Sequence, residues 1–525
     1  MTGTSLVGID DMSLYVPKLY LPIRTIADKR GIPYEKLSKG LGLINLAIPD
    51  VHEDTATMAA NAIVELIEKN QLNPNKIGRL YLGTESALDG AKPTATYVLE
   101  MLRRKYRAKY GPKCFINCDV VDLTFACIGG VDALQNTLDW IKGDEERIGI
   151  VVCSDFAKYE LDSTGEYTQG AGAIAMLVKH NPRLLAIKDT FGVATMGVHD
   201  FFKPKRNVDK KAIIQEVLNL AGINHLSAKE ILDKLPNTLA IKGILDDNNT
   251  SLNLQKDTPV FDGQYSNFTY QNRIREAYLH FKNQKIEQRT AKRSDAILGN
   301  WERIIFHLPY AAHGRRIASE LFMLELKSIG KWQEFATLNE LTEPIKEDFV
   351  EEAIYNKIKS NFLRAITKTK AYKEFVLNKL SKAEIASSQV GNMYACSIFL
   401  ALMSTLEADF REETNLTGKY FGFVGYGSGS KSKIFEATLQ PSWKKIARSF
   451  KVNEKLSNRQ AIDYPTYEAL HRLNLKGSVL PPSEEFCLDT ISDEPNKVGA
   501  RYYYWKEAKN IKAFSIESNQ IESPS

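Results

Sequence analysis

Long apolar runs are missing from this chain of 525 residues, and no stretch of about 18 apolar residues occurs, so no membrane-spanning helix is expected. Cysteine is scarce. Cys114, Cys118, Cys127, Cys153, Cys396 and Cys487 are irregularly spaced, which argues against a disulfide framework and for a reducing compartment. Cys114 and Cys118 have a metal-like separation, but no second pair or histidine pair completes a zinc set, and no metal is expected. Apart from Cys127, these cysteines read as small buried apolar residues. Charge of one sign is also in short supply: 69 Lys and Arg against 64 Asp and Glu leave a net +5. With no concentrated basic-aromatic tract, nucleic acid is not an expected partner. The opening "MTGTSLVGIDDMSLYVPK" has no basic region followed by an apolar run, so it reads as a first strand rather than a signal peptide, and a cytoplasmic location is expected.

What is present is an ordinary globular composition, 43% apolar and 25% charged. The length predicts two to four domains or one large two-part architecture. In the first third, short apolar runs alternate with helical patterns. "RLYLGTES" reads as a strand ending at Glu85, "TATMAANAIVELIEKN" as a helix, "IGIVVCSDFA" as a buried strand ending at Asp155, and "GAGAIAMLVK" as another. The second half repeats the theme with "WERIIFHLPY", a strand ending near His307. A polar loop and helix follow in "SQVGNMYACSIFLALMSTLEA", then strand, glycine-rich turn and strand in "KYFGFVGYGSGSKSKIFEATL". An α/β fold with an internal duplication follows. The first half spans residues 1–180 and the second 181–510. An insertion at about 205–256, a helical region at about 331–385 and a polar tail at 511–525 complete the division.

Cys127 stands at the seam of a strand and a helix in "DVVDLTFACIGGVDALQNTLDWI". A thiol there faces unpaired helix N–H groups and the positive end of the helix dipole. Its pKa is therefore expected below the free value, as for a nucleophile, with a buried structural cysteine as the alternative. Gly129 and Gly130 would let backbone approach a bound group. Glu85, His307, Asn392 and Ser428 also stand at strand ends or in turns. Each alone is unspecific: "GYGSG" has neither the spacing of a dinucleotide loop nor the ending of a phosphate loop. Together, a thiol, a carboxylate, an imidazole and an amide suit acyl transfer with carbon–carbon bond formation.

The motifs "GIDDMSLYVPKLYLP", "KGLGL", "HEDTATMAANA", "IGRLYLGTES", "FACIGGVDAL", "VVCSDFAKY", "TQGAGAIAMLV", "HDFFKP", "PVFDGQYS", "FHLPY", "GNMYACS", "VGYGSGSKSKIF", "LSNRQ" and "GARYYYW" occur in this order. In these motifs the chain resembles the 3-hydroxy-3-methylglutaryl-coenzyme A synthase family of the thiolase superfamily, over most of residues 5–506. The resemblance implies a thiolase-like fold: two βαβαβαββ-type halves in a layered αβαβα architecture. It implies that Cys127 carries an acetyl group and that Glu85 is the general acid/base. His307 then polarises the acetoacetyl carbonyl, Asn392 orients substrate with Tyr394 beside it, and Ser428 contacts the acyl chain. Asp155, Thr168 and Asp200 line or support the pocket. The implied reaction condenses acetyl-CoA with acetoacetyl-CoA in the mevalonate route. It needs no cofactor beyond the coenzyme A thioester substrates, and a homodimer is expected by analogy.

One departure stands out. Where the family has a lysine near the CoA phosphates, "FHLPYAAHGRRIA" has Ala311, Ala312 and His313, with Arg315 and Arg316 as candidate replacements. This leaves a relative acting on carrier-protein-bound β-ketoacyl chains as the alternative. A non-catalytic scaffold with a thiolase-like fold is a further one.

Overall fold

The structure, a computed structural model, describes residues 6–234, 251–494 and 496–508. Ten strands build the main sheet: β1 (Val7–Tyr15), β2 (Ile77–Gly83), β3 (Asp119–Leu123), β4 (Ile148–Ala157), β5 (Gly170–His180), β6 (Leu185–Ile187), β7 (Gly192–Thr195), β8 (Trp301–Phe306), β9 (Tyr420–Gly427) and β10 (Lys431–Leu439). Their order is β8-β9-β10-β6-β1-β5-β4-β2-β3, with β7 also paired to β10. The two halves join where β1 and β6 pair antiparallel at Gly8↔Ala186 and Ile9↔Leu185.

The halves repeat one pattern of directions. In the first, β2 and β4 are parallel, β4 and β5 antiparallel, and β5 and β1 antiparallel. In the second, β8 and β9 are parallel, β9 and β10 antiparallel, and β10 runs antiparallel to β6 and β7. The first half completes the expected βαβαβαββ order. The second is one strand short: where β3 flanks β2, no described strand flanks β8. The helix Lys370–Lys379 covers that edge instead. Lys379 Nζ donates to the carbonyls of Trp301 and, at 3.2 Å, of Gly299, while Arg303 Nη1 donates to Asn378 O at 2.9 Å. A covered edge cannot template pairing with another chain.

Six helices form the layers: α1 (Thr55–Asn70), α2 (Thr94–Tyr110), α3 (Gly129–Ile141), α4 (Gly263–Glu287), α5 (His313–Ser328) and α6 (Ser397–Arg411). Helix α1 starts where the sequence predicts, because Asp54 caps it: its side chain accepts Thr57 N–H at 2.9 Å, and Thr57 Oγ1 accepts Asp54 N–H at 2.7 Å. The strands alternate between two cores. On β5, Ala171, Ala173, Ala175 and Leu177 pack with α1 and α2, whereas Ile174, Met176 and Val178 pack with α3 and α6. Helix α3 is central, since it also meets β9, where Gly425 lies against Ile128 and Val131. Helix α4 covers the other face of the second half.

The described part of the insertion is a two-stranded ladder, Lys205–Asp209 with Ser251–Gln255, followed on its first strand by helices Lys210–Leu220 and Ala228–Lys234; residues 235–250 lie outside the described residues. The helical region contains Trp332–Leu338, Glu352–Lys368, Lys370–Lys379 and Glu384–Val390. The tail at 511–525 lies outside the described residues. Of the five cysteines expected to be buried, four are; Cys118 is half-buried, and all six are free.

Residues Glu485–Ile491 and Arg501–Lys506 form a hairpin packed on α1 and α2, which the sequence reading did not place. Glu485 anchors it, accepting from Lys18 Nζ at 2.5 Å and Tyr15 Oη at 2.8 Å. Among the described residues, His52, Glu53 and Glu485 alone come close enough to share a metal ion; the Tyr15 hydroxyl already bridges the two carboxylates, and the Lys18 ammonium is bonded to Glu485.

Candidate active site

Cys127 stands in the turn between β3 and α3. Thr84 N–H bonds to Leu123 O at 3.2 Å and closes β3 against the end of β2. The chain then turns sharply. Ala126 is left-handed (φ 42°), Ile128 N–H bonds to Phe125 O at 3.2 Å, and Gly129 N–H to Ala126 O at 3.3 Å. The second half repeats the device: Tyr394, three residues before α6 as Ala126 is before α3, also has φ 42°. A left-handed non-glycine costs on the order of 1–3 kcal/mol and is held by its surroundings.

Glu85 reaches the thiol from the loop after β2, which closes at Gly83. Cys127 Sγ lies 3.8 Å from Glu85 Oε1. Asp155 fixes that loop. Its Oδ1 accepts Glu85 N–H and the Thr84 hydroxyl, each at 2.9 Å, and its Oδ2 accepts Ala395 N–H at 2.9 Å. Asp155 lies inside β4, which runs to Ala157 rather than ending at Asp155, because Asp155, Phe156 and Ala157 still pair with β5. Asp155 is fully buried and tied to backbone, so it supports the site from behind.

The electrostatics correct the expectation of a depressed thiol pKa. Burial, Glu85 and Asp155 push the Cys127 thiol well above its ordinary value. The two N–H groups after the sulfur are consumed by the turn and are not aimed at it. Burial likewise raises Glu85 to about 8, against the pull of Lys203, and Asp155 to about 6. Gly129 and Gly130 also serve differently from expectation. They admit protein rather than ligand: a Cβ on Gly129 would stand 2.5 Å from Leu123 O, and one on Gly130 would stand 2.4 Å from Cys153 Sγ and 2.9 Å from Ala395 O.

The other halves of the constellation converge by backbone docking. Asn392 N–H bonds to Thr168 O at 2.9 Å, and Gly391 (φ 84°) permits the contact because a Cβ there would stand 2.0 Å from Gln169 O. Asn392 Oδ1 accepts Tyr394 N–H at 2.8 Å and the Ser397 hydroxyl at 3.1 Å. Its Nδ2 makes no hydrogen bond among the described residues. Thr168 contributes its carbonyl here, while its hydroxyl donates to Gly165 O at 2.8 Å.

His307 follows β8 and is buried, its ring 6.3 Å from and nearly parallel to Tyr270. Burial pushes its pKa down to about 3, so the imidazole is neutral, and Nδ1 has no hydrogen-bond partner among the described residues. Asp200 clamps the glycine-rich turn that holds Ser428: its carboxylate accepts Tyr426 Oη at 2.9 Å and Gly429 N–H at 2.8 Å. The two arginines stand apart. Arg315 is exposed and paired with Glu384 (Nε to Oε1 2.7 Å), which competes with any phosphate. Arg316 is exposed, with Nη2 on Gly40 O and Nη1 3.4 Å from Tyr310 Oη.

Sequence reasoning missed several residues at the site. Tyr159, Phe201 and Phe261 wall the sulfur together with Tyr394. His313, named only as standing where the family has a lysine, is buried between Tyr270 and Tyr310, and neither ring nitrogen has a hydrogen-bond partner among the described residues. Lys203 Nζ lies 3.3 Å from Glu85 O and 5.0 Å from the centre of the Tyr394 ring. Tyr159 and Lys203 both fall inside quoted motifs, "VVCSDFAKY" and "HDFFKP". The signal was a polar tip on a largely apolar segment.

A duplicated α/β fold with a buried thiol and carboxylate at the seam of its halves is that of a thiolase-type enzyme. Two family models match in succession: hydroxymethylglutaryl-coenzyme A synthase N terminal over residues 4–182, and C terminal over residues 250–479. The chain belongs to the hydroxymethylglutaryl-CoA synthase family. It is 29% identical over 471 residues to hydroxymethylglutaryl-CoA synthase of Haloferax volcanii, covering 89% of this chain and 91% of that one. It is 25% identical over 493 residues to that of Enterococcus faecalis, covering 94% and 98%. Among solved structures it is similar to MvaS in complex with 3-hydroxy-3-methylglutaryl coenzyme A, with a TM-score of 0.72, 25% identity, and 96% of this chain and 100% of that one covered. The curacin biosynthetic pathway HMG synthase in complex with holo donor-ACP has a TM-score of 0.68 at 19% identity, covering 95% and 100%, a likeness of fold alone.

Proposed function

We propose that this chain condenses acetyl-CoA with acetoacetyl-CoA to 3-hydroxy-3-methylglutaryl-CoA, as a step of the mevalonate route. The observation that carries the reading is the Cys127 Sγ–Glu85 Oε1 approach of 3.8 Å at a buried place walled by Tyr159, Phe201, Phe261 and Tyr394. The Cys127 proton passes to Glu85, and the sulfur attacks the acetyl thioester. CoA leaves, taking that proton. Acetoacetyl-CoA enters, and Glu85 removes a methyl proton from the acetyl group. The resulting carbon attacks the C3 carbonyl, whose oxygen is held by the neutral His307 imidazole and the free Nδ2 of Asn392. Glu85 returns its proton to the new alkoxide, and water hydrolyses the Cys127 thioester.

Asp155, Asp200 and Thr168 position the three loops. The chemistry draws on thiol, carboxylate, imidazole and amide, and calls on no metal or redox group. Six free cysteines support a reducing, cytoplasmic setting. Among the described residues no helix is long and apolar enough to cross a membrane. The edge strand β3, paired on one side only, supports pairing with a second copy of the chain.

The test is turnover by the purified protein of acetoacetyl-CoA against the same acyl group on a carrier protein. Higher kcat/KM for the CoA thioester supports the reading, and turnover of the carrier-bound substrate alone transfers it to the alternative.

A further inference from the structure

The site holds two carboxylates and a thiol in a buried place, and one basic side chain acts on them. Lys203 Nζ donates to Glu85 O at 3.3 Å and lies over the Tyr394 ring at 5.0 Å. Its backbone is held on both sides. Just before it, Phe201 and Phe202 pair with Phe261 and Val260; just after it, Lys205–Asp209 pairs with Ser251–Gln255. Asp262 N–H also bonds to Asp200 O at 3.1 Å. The ammonium is thus carried on a stiff root and is not a loose surface chain. The groups facing the pair are Asp155 from β4, Tyr159 from the loop after β4, Tyr270 from α4, Tyr394 from the turn before α6, and Lys203.

We propose that Lys203 is the counter-ion of the Cys127–Glu85 couple, a positioning residue that stabilises the single negative charge the couple carries whenever Glu85 or Cys127 is ionised. This rests on the reading of Cys127 as nucleophile. When the couple loses its first proton, the charge sits on the Glu85 carboxylate or on the Cys127 thiolate, and the cation stabilises either form. Electrostatics agree: the Lys203 charge lowers the pKa of both Glu85 and Cys127, opposing burial.

The test is the pH dependence of Cys127 alkylation by iodoacetamide, read by peptide mass in the full chain without any CoA substrate. Lys203→Met should move the midpoint up by about half a pH unit or more, and Lys203→Arg should restore it, since a nearby opposite charge favours the ionised form. An unchanged midpoint in Lys203→Met, with thermal melting like that of the parent chain, overturns the counter-ion. If Lys203→Met fails to fold, Lys203→Gln is read against Lys203→Arg, with equal midpoints counting against the proposal. Absence of Cys127 alkylation in the parent chain at any pH overturns the nucleophile reading and this inference with it.

Discussion

Asp155 accepts the backbone N–H of Ala395 at 2.9 Å, across the seam between the two halves of the chain. Its other oxygen accepts Glu85 N–H at the same distance. One buried carboxylate therefore sets Glu85, the proposed general base, in the first half against the turn that begins α6 in the second. Asp155→Ala should cost about 2–4 kcal/mol, because it leaves two buried N–H groups without an acceptor. It should also lower kcat by 10-fold or more through displacement of Glu85, on the order of what a mispositioned base loses. Thermal melting and steady-state kinetics on one preparation check both, and a variant that loses stability but keeps kcat would separate Asp155 from catalysis.

Glu85 must be ionised to take the methyl proton, and its pKa is raised to about 8 by burial. The rate at saturating substrates should therefore climb with pH and level off above about 8. A profile flat from pH 6 to 9 would place the base elsewhere.

The same shift makes a stability prediction. Between about 4.3, the unfolded value, and about 8, folded Glu85 holds a proton that the unfolded chain has released. Its contribution therefore falls as pH rises through that window and stays low above it. Glu85→Gln should stabilise the fold by roughly 1–3 kcal/mol at pH 8.5 and by little at pH 5. Denaturant melts at the two pH values decide it, and equal gains at both would contradict the shift.

His307 is neutral across the physiological range, its pKa pushed down to about 3 by burial. In the proposed reaction it binds the acetoacetyl carbonyl and plays no part in acetylation. His307→Ala should leave acetyl transfer from acetyl-CoA within a few-fold while raising the KM for acetoacetyl-CoA or lowering kcat at least 10-fold. Equal loss in both stages would mean that the histidine acts on the thiol.

Gly130→Ala places a Cβ against Cys153 Sγ and Ala395 O, both backed by packed core. It should destabilise by about 1–3 kcal/mol and lower acetylation by tilting the start of α3. A neutral melting temperature would show that the helix start has room.

Much of this architecture is legible in the sequence. The period of "TATMAANAIVELIEKN" and the Asp54 cap fix α1, and the short apolar runs fix most strands of the main sheet. The seam at Cys127 is legible because strand, turn and helix signals abut there. The ionisation of the thiol is not, because it depends on Glu85 and Asp155 arriving from elsewhere in the chain to the same buried place. A strand-end carboxylate reads as solvated until its neighbours are known. Lys203 escapes for the same reason: only the pairing of Phe201 with Phe261 turns it inward to Glu85. The lost third strand of the second half is hidden as well. The charged helical pattern of 331–385 predicts helices, but not that Lys370–Lys379 covers the edge of β8.

The central claim is that Cys127 holds the acetyl group and Glu85 moves the proton. The direct measurement is the mass of the peptide containing Cys127, in the parent chain and in Glu85→Ala, after acetyl-CoA and again after acetoacetyl-CoA. Both chains should gain one acetyl group in the first step, Glu85→Ala more slowly because it lacks the acceptor of the Cys127 proton, and only the parent should lose it in the second while releasing 3-hydroxy-3-methylglutaryl-CoA. A parent chain that turns over both substrates with Cys127 never acetylated would contradict the account.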